Sequence, residues 1–85
     1  MPRFEIEVRV MPRAALLDPQ GQAIEHALAA LGFERVDGVR VGRALVLGVD
    51  RPTRAAAERD ARSMCERLLA NPVTEDFTVA VREAS

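Results

Sequence analysis

The sequence predicts an α+β fold in two layers, an antiparallel sheet with two helices packed on one face, in the order β-α-β-α-β. Three patterns carry that expectation. Phe4, Ile6, Val8 and Val10 alternate with Glu5, Glu7, Arg9 and Met11, the period of two of a half-buried strand. Ile24, Ala27, Leu28 and Leu31 recur at i, i+3, i+4 and i+7, one apolar stripe of a helix. Ala57, Ala61, Met64, Cys65 and Leu68 draw a second stripe. The 85 residues suffice for one core and one domain, residues 1–85, and are too few for a cofactor-binding fold beside a catalytic one.

Each element has its own signals. Pro12 ends the first strand, because it brings no amide to a ladder. Asp18-Pro19 opens the first helix. The Asp carboxylate accepts from free first-turn amides, and Pro at the first helical position gives up only an amide that would stay unpaired. Gly32 stops that helix as a left-handed residue. Between Val36 and Val49 the apolar residues Val39, Val41, Leu45, Leu47 and Val49 share odd parity. A two-residue hairpin at Gly42-Arg43 would break that parity. The pattern therefore favours one long strand bent near Gly42, with two strands joined by a three-residue turn as the other solution. Asp50-Arg51-Pro52-Thr53 starts the second helix, expected from Thr53 to Ala70. Arg54, Glu58, Arg62 and Glu66 run along its flank four apart with alternating sign. Asn71-Pro72 ends it, Asn taking the left-handed turn. Phe77, Val79 and Val81 form the buried side of a last strand. The other sheet face would carry Glu5, Glu7, Arg9, Met11, Arg40, Ala44, Val46, Thr78 and Ala80, mixed enough to pair with another subunit.

Charge and composition exclude several classes of function. Twelve cations against thirteen anions leave a net charge of −1, so no basic excess drives nucleic-acid binding. No apolar run approaches the ~20 residues of a membrane span, and the strand-like, charged N-terminus is not a signal peptide. One cysteine excludes an internal disulfide and multi-cysteine zinc patterns, and the cytoplasm is the expected compartment. All the cations are Arg, so neither a phosphate-loop lysine nor a Schiff-base lysine exists.

A search for catalytic groups finds little. His26 lies about 200° around the first helix from Ile24, on the solvent side. Cys65 falls on a buried stripe, whereas a reactive thiolate needs exposure and a nearby cation. Ser63 and Ser85 have no histidine placed as in a triad. Glu5, Glu7, Glu75 and Asp76 read as solvated surface. Gly38, Gly42 and Gly48 are too scattered to cradle a phosphate. The anion position at the first helix N-terminus is filled by Asp18 itself. No catalytic, cofactor or metal residue is expected, and the residues describe a domain that binds something.

Three segments together resemble one family. They are Leu16-Leu17-Asp18-Pro19-Gln20-Gly21, Val39-Arg40-Val41-Gly42-Arg43, and Met64-Cys65-Glu66-Arg67-Leu68-Leu69-Ala70-Asn71-Pro72-Val73 continuing to Glu75-Asp76-Phe77. Their order and spacing are similar to the small PurS-type subunit of phosphoribosylformylglycinamidine synthase over essentially the whole chain. The resemblance implies a non-catalytic subunit in de novo purine synthesis. A homodimer or tetramer of it bridges a glutaminase subunit and a large ATP-dependent synthase subunit. Ammonia from glutamine then converts formylglycinamide ribonucleotide to formylglycinamidine ribonucleotide. ATP, Mg and glutamine belong to the complex and none to this chain, and neither nucleic acid nor membrane is a partner. Two positions depart from the family: Arg43 stands where Lys is frequent, and Thr74 where a branched aliphatic is more familiar. The expected partner-facing residues are Asp18, Pro19, Gln20 and Gly21, then Arg40, Gly42 and Arg43, with Asn71 and Pro72 a helix stop first and a contact second. From the residues alone each is equally a helix cap or a strand bend. The alternative is a stand-alone regulatory module binding a small molecule, which would show an apolar cleft with convergent polar groups.

Overall fold

A computed structural model describes residues 1–84, and Ser85 lies outside the described residues. Three strands and two helices follow in the order β1 (Arg3–Pro12), α1 (Pro19–Ala30), β2 (Arg43–Asp50), α2 (Arg54–Met64, continued by a wider turn over Cys65–Leu69) and β3 (Glu75–Glu83). The strands form one antiparallel sheet in the order β2-β1-β3. The α+β class and the element order are those the sequence predicts.

The register explains the core. Ile6 faces Leu47 and Val81, Val8 faces Leu45 and Val79, and Val10 faces Phe77, so these apolar positions share one face, while Val46 beside Glu7 lies exposed on the other. Ile6, Val8 and Val10 are fully buried there, each side chain worth about 1.5–3 kcal/mol in removal from water. From α2 the small residues Ala57, Ala61 and Cys65 are fully buried against the same cluster, and their size lets the helix lie close to the strands. Thr53 caps α2, its hydroxyl accepting from the Ala56 amide at 3.1 Å.

Four details differ from the sequence reading. First, only α2 covers the sheet. The stripe on α1 is open to solvent, with Ile24 41% and Leu31 73% exposed, and Gly21 is the one buried residue of that helix. Periodicity identifies an apolar face but does not say which surface covers it. Second, the middle strand is single and begins at Arg43. Residues 36–42 are irregular, because β1 runs out at Pro12, one of the positions they would need as partner. The amides of Val39 and Val41 go instead to the carboxylates of Glu25 and Asp18. Third, Leu68 is 81% exposed, and Leu69 packs on the core in its place. The amide of Ala70 bonds the carbonyl of Cys65, five residues back, so the turn needs an extra residue and advances the buried position by one. Fourth, Ala70 stops the helix in extended conformation, and Asn71 does not take a left-handed one.

Other expectations hold. Gly32 has φ +94, and the amides of Gly32 and Phe33 return to the carbonyls of Ala29 and Leu28, closing α1 in a Schellman turn. The α2 flank follows the expectation in part: Glu58 pairs with Arg62 at 3.5 Å, while Arg54 turns away to the Val81 carbonyl.

Candidate functional site

The chain leaves β1 at Pro12, enters α1 at Pro19, returns beside α1 through residues 36–42, and rejoins the sheet as β2 at Arg43. The end of α2 and the start of β3 arrive at the same end of the sheet. Two carboxylates organise this corner.

Asp18 uses both oxygens. Oδ1 accepts from the Gly21 amide at 3.0 Å and caps α1, and Oδ2 accepts from the Val41 amide at 2.8 Å. These amides, with the Arg40 guanidinium 3.9 Å away, hold its carboxyl below the ordinary carboxylate range. Gly21 is required at this point: a Cβ there would overlap the Val39 carbonyl. Glu25, one turn further along α1, accepts from the Val39 amide at 2.8 Å. The return segment is thus bonded to the helix at two alternate amides, those of Val39 and Val41, and α1 with residues 36–42 forms one arm.

Arg40 lies where the arm joins the sheet. Its Nη2 donates to the carbonyl oxygens of Pro12 and Arg13, the latter at 2.6 Å, and its Nε is buried without a hydrogen-bond partner. A Cβ at Gly42 would collide with the Val10 carbonyl and the Met11 sulfur, so glycine is needed for the crossing there.

Glu75 is the second organiser. Arg43 donates to it through both arms of its fork, at 2.7 and 3.1 Å, and also to the Leu69 carbonyl. The Asn71 amide donates to the same carboxylate at 2.7 Å. Arg43 and Asn71 hold Glu75 below its ordinary range. At this position Arg is not equivalent to Lys, because an ammonium has no planar pair of donors to match two carboxylate oxygens. The Asn71 side chain accepts from the Val73 amide at 2.9 Å, and its carbonyl accepts from Thr74 and Glu75, which turns the chain into β3.

Asp18, Gln20, Gly42, Arg43 and Glu75 line one open cavity of about 310 Å³ at this corner. Pro19 occupies the first turn of α1 beside it, and Arg13 ties Pro72 in by donating to its carbonyl. The three predicted segments therefore meet at one end of the sheet. Glu75, Glu25 and Arg13 belong to the same corner and were not among the expected site residues. The N-P-x-x-E spacing that returns Glu75 to the Asn71 amide is the signal that points to the first of them.

The groups weighed for catalysis sit elsewhere. His26 is exposed on α1, and Cys65 is fully buried, with burial pushing its thiol pKa up. Among the described residues no group of three or more His, Cys, Asp and Glu side chains is placed to hold a metal ion. Nor is any helix among them long and apolar enough to cross a membrane.

Comparison with known proteins places the sequence and the fold in one family. A family model for PurS, phosphoribosylformylglycinamidine (FGAM) synthase, matches residues 5–83. Subunit PurS of that synthase from Methanothermobacter thermautotrophicus is 37% identical over 81 residues, 95% of each chain. The Bacillus subtilis subunit is 36% identical over 84 residues, 94% of each. Among solved structures, PurS of Thermus thermophilus superposes with a TM-score of 0.84 at 36% identity, covering 99% of this chain and 100% of that one. A chain of PurLQS from Thermotoga maritima superposes with a TM-score of 0.85 at 33% identity, again covering 99% and 100%. With matched length, sequence and fold, the chain belongs to the PurS family and is a subunit of phosphoribosylformylglycinamidine synthase.

Proposed function

We propose that this subunit contributes no reacting group and works by holding the other subunits of the synthase in register. In this reading a glutaminase subunit releases ammonia from glutamine. A large subunit, using ATP and Mg, activates the formyl amide of formylglycinamide ribonucleotide. Ammonia displaces the activated oxygen to give formylglycinamidine ribonucleotide, with ADP, phosphate and glutamate as the other products. Ammonia released into water is protonated and diluted, so the two centres must be coupled in space. That is the task of a rigid bridging subunit, acting as a dimer or tetramer in the cytoplasm.

The observation that carries the reading is the unpartnered arm. A chain of 85 residues that leaves Leu31 73% and Phe33 58% exposed on one projecting element is built to be covered by another molecule. The corner of Asp18, Pro19, Gln20, Gly21, Arg40, Gly42, Arg43, Asn71 and Pro72 lies at the root of that arm, and we assign it to the partner-facing surface. A regulatory module would offer an enclosed apolar cleft, and the cavity at this corner is open and bordered by paired charges.

The test is reconstitution of formylglycinamidine ribonucleotide synthesis from the glutaminase and large subunits, with and without this chain. Turnover with glutamine should depend on the chain. Equal turnover on omission overturns the bridging role.

A further inference from the structure

The arm raises a mechanical question. α1 contributes little to the core, so within the chain its direction relative to the sheet is set at its root, before any partner covers it. A helix of this length projects about 18 Å, and an angular play of ~10° at the root would move its tip by about 3 Å. A bridging subunit with such play would not fix the distance between two centres.

One side chain at the root spans both bodies. The backbone of Arg40 belongs to the return segment of the arm, whose neighbouring amides are bonded to Asp18 and Glu25 of the helix side. Its guanidinium reaches the end of the central strand and donates to the carbonyls of Pro12, its last residue, and of Arg13 just beyond it. The side chain is 27% exposed, turned inward, with Asp18 beside it at 3.9 Å. Gly42 removes the side chain that would hold the two bodies apart.

We propose that Arg40 is a positioning residue, a clasp that fixes the angle between the arm and the sheet, and that glutamine-dependent turnover by the synthase requires that angle. It acts on neither substrate nor ammonia. The proposal rests on the bridging role argued above and adds the device that makes the bridge stiff.

The test measures the angle and the consequence separately. Spin labels are placed at Ala29→Cys on the arm and Thr78→Cys on the sheet, both exposed, and labelled chain is diluted with unlabelled chain so that one pair is read. Cys65 is fully buried and stays unlabelled. Wild type should give one narrow distance distribution. Arg40→Gln should broaden it while the sheet keeps its cooperative unfolding, and should lower glutamine-dependent turnover of the reconstituted synthase at least about tenfold, toward the ~10²-fold loss that an ångström-level misplacement can cause. Arg40→Lys keeps the charge but presents a point donor in place of a fork, so it should fall between the two in both measurements. If Arg40→Gln does not fold, the Arg40→Lys comparison with wild type carries the test alone. An unchanged distribution in the variant overturns the clasp, and a broadened distribution with wild-type turnover overturns its link to function. Should turnover be indifferent to the whole chain, the bridging role falls instead, and the distance measurement still decides the clasp.

Discussion

Arginine does work in this chain that its charge alone does not describe. Arg13, Arg40, Arg43 and Arg54 all donate to backbone carbonyls of distant segments. Arg43 binds a carbonyl and both oxygens of Glu75 at once. Such forks satisfy carbonyls that the ends of helices and strands leave free, which a lysine reaches only one at a time. The carboxylates facing them set the acid limit of the fold. Asp18, Asp60 and Glu75 are held below their ordinary values of 3.8, 3.8 and 4.5, Asp18 chiefly by the Gly21 amide and the other two by Arg51 and Arg43. Between the native and the unfolded value the unfolded chain binds more protons, so stability is full above the unfolded value and falls as pH drops through the native one. Denaturant midpoints should therefore be flat from neutrality to about pH 5 and decline steadily below it. Glu75→Gln should shift the midpoint down at pH 7 and reduce the decline. A variant that loses as much on acidification as wild type would mean that the Arg43 pair does not couple to folding. The composition, all Arg and no Lys, is visible in the sequence, but the carbonyl partners are not, because they come from segments brought together only by the fold.

At the scale of elements, local chemistry was legible and tertiary cover was not. The cap at Asp18, the start of α2 at the Asp50-Arg51-Pro52-Thr53 signal, the stop at Gly32 and the alternation in β1 depend on residues within a few positions, and each lies where the sequence predicts it. The stretch from 36 to 42 misleads because its parity matches β2, while its amides are taken by Asp18 and Glu25, residues of a helix that sequence reading packs elsewhere. The wider turn at Cys65–Leu69 misleads for a different reason: an extra residue per turn leaves no mark on composition, yet it exchanges the roles of two adjacent leucines. That exchange is measurable. Leu69→Ala should destabilise by about 2 kcal/mol, the low end for a core leucine because its burial is partial. Leu68→Ala, at 81% exposure, should stay within about 0.5 kcal/mol of wild type. Regular α-helical winding would reverse the order, so urea midpoints of the two variants decide which turn the helix makes.

As a whole molecule the chain is too extended to be at rest alone. A compact domain of 85 residues has a radius of gyration of about 12 Å, against 16.6 Å here. The extents of 52 × 29 × 14 Å describe a thin slab with a projecting arm. Leu17, Leu31 and Phe33 are each more than half exposed near the ends of that arm, and both sheet edges, β2 and β3, are open. Among the described residues the covered core is small, with Ile6, Val8, Val10 and Cys65 its largest fully buried side chains. A domain of this size covers its apolar surface poorly by itself and gains from association. At micromolar concentration the chain should therefore sediment at a multiple of 9.3 kDa. Leu31→Glu, which puts a charge into the exposed stripe without touching the core cluster, should drive it toward the monomer. A wild-type chain that sediments as a monomer, with solution scattering still giving a radius near 16.6 Å, would mean that the arm stands free in water. The exposed stripe would then be no contact surface between copies of this chain, and its cover would have to come from the larger subunits alone.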